Sequence, residues 1–164
     1  MGRLTLLGLG NILLTDEGVG VWAVREVQRR WRLPPEVEVV DGGTAGLDLL
    51  PYVEERDWLL VVDAVEFQRE PGFMGWLAGE ELLAGGTAQA SLHHLGLREV
   101  LAAAQLLDRS PQGVLLLGIQ PHLLTTGVGL SPCLEARLPE VVQEIVARLG
   151  ALGYPPLGPA ESED

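Results

Sequence analysis

The residues of this chain with the types and spacing to do chemistry are few. Asp16 and Glu17 close the stretch GLGNILLTDEG (8–18), Asp41 and Thr44 bound the turn DGGT (41–44), Asp63 follows LLVV, and His93 and His94 lie in SLHHLGL (91–97). The first stretch opens like a phosphate-binding turn, with Gly8 and Gly10 as two glycines of a G-x-G-x-x-G pattern. A helix N-terminus suits phosphate through its unpaired N–H groups and positive dipole end, but fixed negative charge at the same place repels that ligand. The third glycine position holds Leu13 instead. Asp41 lies beyond the roughly 20 residues at which a ribose-binding acid is expected, and no G-K-[ST] follows. The loop is therefore suited to something positive. Two carboxylates and an imidazole form a mixed oxygen and nitrogen set able to hold Zn²⁺, Ni²⁺ or Mn²⁺.

Each of these residues also has a simpler reading. Asp16 reads as a helix N-cap and Glu17, taken alone, as a partner of the helix dipole. Asp63 divides evenly between capping the turn after its strand and serving a site. His93 and His94 alone read as a surface pair before a helix, and Asn11 as a left-handed turn residue. Asp41, Gly42, Gly43 and Thr44 alone read as a polar turn with permissive backbone, and Cys133 as a small hydrophobe. Only their joint placement argues for a site.

That placement follows from the elements around them. Leu4–Leu9 is a continuous apolar run, as expected of a strand covered on both faces. Val21, Val24, Val27 and Trp31 recur at helical spacing until Pro34 and Pro35 stop the helix. Val37–Val40 reads as a strand turned by Gly42 and Gly43, Leu47–Val53 as a short helix, Trp58–Val62 as a strand ending in Asp63, and Phe73–Leu77 as a further strand. Leu97, Val100, Leu101 and Ala104 mark another helix and Val114–Leu117 another strand. Val141, Val142, Ile145, Val146 and Leu149 stripe a last helix that Ser131 is placed to cap, with Pro132 in its first turn. The alternation predicts an α/β fold: one three-layer domain over residues 1–153, with a twisted, mostly parallel sheet and helices on both faces. Residues 154–164 read as a flexible acidic tail. In such sheets ligands bind beyond the carboxyl ends of the strands, where strand order reverses, so the post-strand acids are the ones to inspect.

Composition narrows the partners. A formal net charge of −12, from 23 acidic and 11 basic residues in 164, argues against a phosphate-backbone partner, so no nucleic acid is expected. The apolar runs break well before the roughly 18 residues that a membrane span needs, and no basic-then-apolar leader opens the chain, so neither membrane nor export is expected. The single cysteine forbids an internal disulfide and agrees with a cytoplasmic location.

Taken in order and at these separations, GLGNILLTDEGVG, VVDGGTAGLDLL, VVDAV, SLHHLGL, LLLGIQP and GLSP resemble the hydrogenase maturation endopeptidases, from Leu4 to about Leu149. The resemblance implies a twisted sheet flanked by helices, and an enzyme that removes the C-terminal extension of a nickel-iron hydrogenase large-subunit precursor after nickel insertion. It implies that Glu17, Asp63 and His93 form both the metal-contacting and the catalytic set. Asp41, Gly42, Gly43 and Thr44 would recognise the precursor. The nickel would be supplied by the substrate, with zinc or cadmium able to occupy the same ligands. His94 departs from the pattern as a second imidazole beside His93, whose place in the motif favours it as the ligand. The expected partner is the large-subunit precursor, met by a monomer. Two rival classes are a nickel-binding accessory protein without peptidase activity and a cysteine hydrolase centred on Cys133; a nucleotide-binding module ranks below both.

Overall fold

The computed structural model describes residues 2–79, 90–91 and 94–161. Strand β1 (Leu4–Leu9) leads through a loop and a 3₁₀ turn at Thr15–Gly18 into helix α1 (Val19–Arg30). A two-residue strand β2 (Trp31–Arg32) precedes β3 (Val37–Gly43), and a 3₁₀ turn runs into the short helix α2 (Leu50–Val53). Then come β4 (Trp58–Glu66), β5 (Met74–Ala78), β6 (Ala90–Ser91), α3 (His94–Leu106), β7 (Gly113–Ile119), α4 (Pro132–Ala151) and β8 (Gly158–Pro159).

The main sheet runs β3-β1-β4-β7-β5, parallel except for the antiparallel edge strand β5, and β6 adds an antiparallel pairing to the end of β4. The α/β reading is borne out. Side-chain alternation divides the central strands between two cores. Leu4, Leu6, Leu60 and Val62 pack with α1 and α4 on one face, while Leu7, Leu9, Leu59 and Val61 pack with α2 and α3 on the other. From β1 the chain goes first to β3 on one side, then crosses to β4 on the other. Strand order therefore reverses between β1 and β4, and the crevice for a ligand opens at their carboxyl ends.

Three expectations change. Trp31 leaves the helical stripe, because α1 ends at Arg30 and Trp31–Arg32 pair antiparallel with Gly158–Pro159. Within the stretch expected to be a flexible acidic tail, the same pairing ties residues 157–160 to the end of α1: Leu157 donates to the Arg32 carbonyl at 2.8 Å, Ala160 to the Arg30 carbonyl at 2.9 Å, and Tyr154 is buried. Strand β4 also does not stop at Asp63. It continues because β7 pairs with it through Ala64 and β6 joins at Val65 and Glu66.

Helix α1 lies unusually close to the sheet. A Cβ at Gly20 would stand 2.0 Å from the Val62 carbonyl oxygen and 2.5 Å from that of Leu9. The packing glycine missing at position 13 is thus supplied at position 20. Gly20→Ala is expected to cost about 1–3 kcal/mol or more through overpacking. Gly150→Ala, where a Cβ meets nothing within 4 Å, is expected to be neutral or slightly stabilising. Urea midpoints of the two variants check the difference.

Candidate active site

The loop after β1 is shaped by its own polar atoms. Asn11 Oδ1 accepts from the Leu13 amide at 2.9 Å, and the Asn11 carbonyl accepts from the Leu14 amide at 3.1 Å. This side-chain turn replaces the left-handed conformation expected of Asn11. Positive φ falls instead on Gly10 (131°) and Thr15 (53°). At Gly10 a Cβ would meet the Glu17 carbonyl oxygen at 2.0 Å, so the loop folds back tightly on the 3₁₀ turn that carries the acids.

The two neighbouring acids have different partners. Asp16 is fully buried, and its carboxylate accepts four hydrogen bonds from the loop between β7 and α4. Oδ2 accepts from the His122 amide at 3.0 Å, the Leu123 amide at 2.9 Å and the Ser131 hydroxyl at 2.7 Å; Oδ1 accepts from the Ser131 amide at 2.8 Å. Asp16 is therefore not an N-cap of its own helix but a staple for a remote loop. Ser131 does occupy the N-cap position of α4, with Pro132 following, yet its hydroxyl is spent on Asp16 rather than on its own helix. The backbone reinforces the staple: Thr15 donates to the Gly127 carbonyl, Asp16 to that of Leu123, and Gly127 to that of Leu13.

Glu17 stays half-buried in the 3₁₀ turn, just before α1 begins. Asp63 is one residue past Val62, the last partner of β1, and is fully buried, with Oδ1 accepting from the Ala64 amide at 2.8 Å. Its place in the alternation puts it on the face shared by Leu59, Val61 and Val65. Gly20 against Val62 holds the turn carrying Glu17 close to the stretch of β4 carrying Asp63.

His93 lies outside the described residues. The helix α3 begins at His94, and Ser91, two residues before His93 in sequence, pairs with Val65 of β4. Among the described residues no three His, Cys, Asp or Glu side chains are grouped to hold a metal ion.

Asp41 is exposed near the end of β3 and paired with Arg25 of α1 at 2.6 Å. Gly42 is buried against Leu7, Gly43 has φ 53° and accepts at its carbonyl from the Gly10 amide at 2.8 Å, and Thr44 is exposed. A cavity of about 330 Å³ separates this turn from Gly10–Leu13. Sequence reasoning did not single out Arg25, because its spacing on α1 carries no sign of a partner on β3. A larger cavity of about 440 Å³ lies at the opposite, amino ends of β4 and β7, beside Trp58 and Gly113, away from the acids. Cys133 is exposed rather than a small core hydrophobe, because Leu134, Val141 and Val142 take the sheet-facing side of α4; its Sγ is 3.4 Å from the Ser131 hydroxyl.

The domain is of the α/β class and carries carboxylates after its first strand, where a nucleotide-binding fold carries a glycine-rich phosphate turn. A sequence-family model described as hydrogenase maturation protease matches residues 21–148. The Hydrogenase 2 maturation protease of Escherichia coli K12 is 40% identical over 152 residues, covering 92% of this chain and 93% of that protein. The solved hydrogenase maturating endopeptidase HybD of E. coli superposes with a TM-score of 0.87 at 38% identity, covering 96% of this chain and 97% of the other. A nickel-iron hydrogenase maturation protease from Thermococcus kodakarensis superposes with a TM-score of 0.71 at 26% identity, over 90% and 98% of the two chains. The chain belongs to the hydrogenase maturation protease family.

Removing the staple tests its place in the site. Asp16→Ala strands the Ser131 donors, and at about 1–3 kcal/mol per buried unsatisfied group the expected loss of stability is about 2–4 kcal/mol. Asp16→Asn can still accept at the Oδ2 position and is expected to lose less. Denaturant midpoints, with limited proteolysis mapped to 121–131, report both.

Proposed function

We propose that this protease removes the C-terminal extension of a nickel-iron hydrogenase large-subunit precursor, and that it does so only after nickel has been inserted. The observation that supports this most is that a half-buried Glu17 follows β1 and a buried Asp63 lies on β4, the two strands that flank the switch point of a hydrogenase maturation protease. Carboxylates in such a crevice favour a cation, and the ion concerned is the nickel already held by the substrate. Glu17, Asp63 and His93 approach that ion from the enzyme side, so it serves as the mark that distinguishes a filled precursor from an empty one. A divalent ion beside a scissile peptide bond can polarise the carbonyl or activate water, and a carboxylate nearby can take up the proton. Asp41 to Thr44 meet the precursor at the neighbouring turn. Zinc or cadmium, offered alone, occupies the same oxygen and nitrogen ligands.

The deciding measurement is the intact mass of a nickel-loaded precursor after incubation with the protein, beside a nickel-free precursor. Loss of a C-terminal peptide from the loaded form alone is expected. Glu17→Gln is expected to slow that loss by about 10²-fold or more. An unchanged mass with the cognate, nickel-filled precursor would replace the peptidase with a nickel carrier using the same ligands. Cys133→Ala, by contrast, is expected to cleave at the wild-type rate, since the exposed thiol stands 3.4 Å from the Ser131 hydroxyl, which is not a base; abolished cleavage would restore the cysteine-hydrolase reading.

A further inference from the structure

Asp41 stands on a backbone that is held firmly, by the Gly10 amide on the Gly43 carbonyl and by Gly42 against Leu7, but its side chain reaches out of the exposed end of β3. Among the described residues, what orients that carboxylate is Arg25, whose Nη2 donates to Asp41 Oδ2 at 2.6 Å. Arg25 is itself held from behind, its guanidinium carbon 5.3 Å from the centre of the Trp22 ring, a distance at which a cation is attracted to the ring face. The neighbouring acid on α1 does not compete for it. Glu26 is occupied by Arg29 and by Arg30, and the hydrogen bond from Arg29 holds its carboxyl below the usual carboxylate range. Arg25 and Asp41 both line the 330 Å³ groove between Gly10–Leu13 and the Asp41–Thr44 turn.

We propose that Arg25 is a positioning residue for precursor recognition: it fixes the Asp41 carboxylate at this groove and neutralises its charge, leaving Oδ1 to accept a hydrogen bond from a backbone N–H of the precursor. This rests on the reading of the precursor as substrate and of Asp41–Thr44 as its recognition turn. The pair is exposed, with side-chain accessibilities of 44% and 42%, so it contributes little to folding, and its loss registers in substrate affinity instead. Arg25 touches no reacting bond, so the rate at saturation is not its concern.

The test is a double-mutant cycle on the nickel-loaded precursor. Arg25→Ala is expected to raise KM about tenfold with kcat and the melting temperature unchanged, a coupling within the range measured for directly bonded pairs. Arg25→Lys, which keeps the charge but not the planar fork, is expected to recover part of the affinity. Arg25→Ala combined with Asp41→Asn is expected to be no worse than Asp41→Asn alone. An unchanged KM in Arg25→Ala, or two single effects that multiply in the double variant, would overturn the proposal. Wild-type protein that fails to shorten the precursor overturns the endopeptidase reading instead. The cycle is then read from calorimetric binding of the same precursor to protein with Glu17 intact, where the same outcomes apply.

Discussion

The arrangement of the site depends on one close contact, the backbone of Gly20 against the carbonyl of Val62. A side chain at position 20 would push α1 away from β1 and β4, and with it the 3₁₀ turn just before the helix. This contact brings the 3₁₀ turn carrying Glu17 close to the strand carrying Asp63, although 46 residues separate the two acids along the chain. The same seam explains the glycines at 8 and 10. A Cβ at Gly8 would strike the Gly20 carbonyl oxygen, and one at Gly10 that of Glu17. The glycines form a packing pattern, not a phosphate-binding one, and let α1 and the 3₁₀ turn that carries the acids lie close to the sheet.

The pair Asp16 and Glu17 divides two tasks between adjacent carboxylates. A buried charge is tolerated only when hydrogen bonds replace its water, and the loop from His122 to Ser131 provides four neutral donors to Asp16. Glu17, in the same 3₁₀ turn, is half-buried rather than fully enclosed. Fixing the β7–α4 loop through Asp16 also makes it a wall of the same region. Leu123, Leu124 and Val128 stand partly in water on that loop, as Leu13 does on the turn facing it.

Much of the fold was legible because apolar periodicity is a local property. The continuous runs of β1, β4 and β7 mark strands buried on both faces, and the stripe Val141, Val142, Ile145 and Leu149 marks α4. The misreadings share a cause as well. Trp31 fits a helical stripe in sequence but pairs with Pro159, and residues 154–160 look like a Pro/Gly-rich tail but are tied to the end of α1. The apolar run Leu59–Val62 stops at Asp63 in sequence, whereas pairing with β7 and β6 carries the strand on to Glu66. In each case a partner distant in sequence overrode the local signal.

By itself the sequence determined the layer order, the strands that end in acids and the resemblance of its motifs to the maturation endopeptidases, because each is written in short spacings that no distant contact can change. Only the tertiary structure decided that Asp16 is a staple for a remote loop, and that Arg25 orients Asp41. The Ser131 amide that claims Asp16 lies 115 residues away, and the carboxylate that claims Arg25 lies on another element. A side chain's hydrogen-bond partner is chosen by the packing of helix on sheet, and that choice leaves no trace in the spacing of the chain.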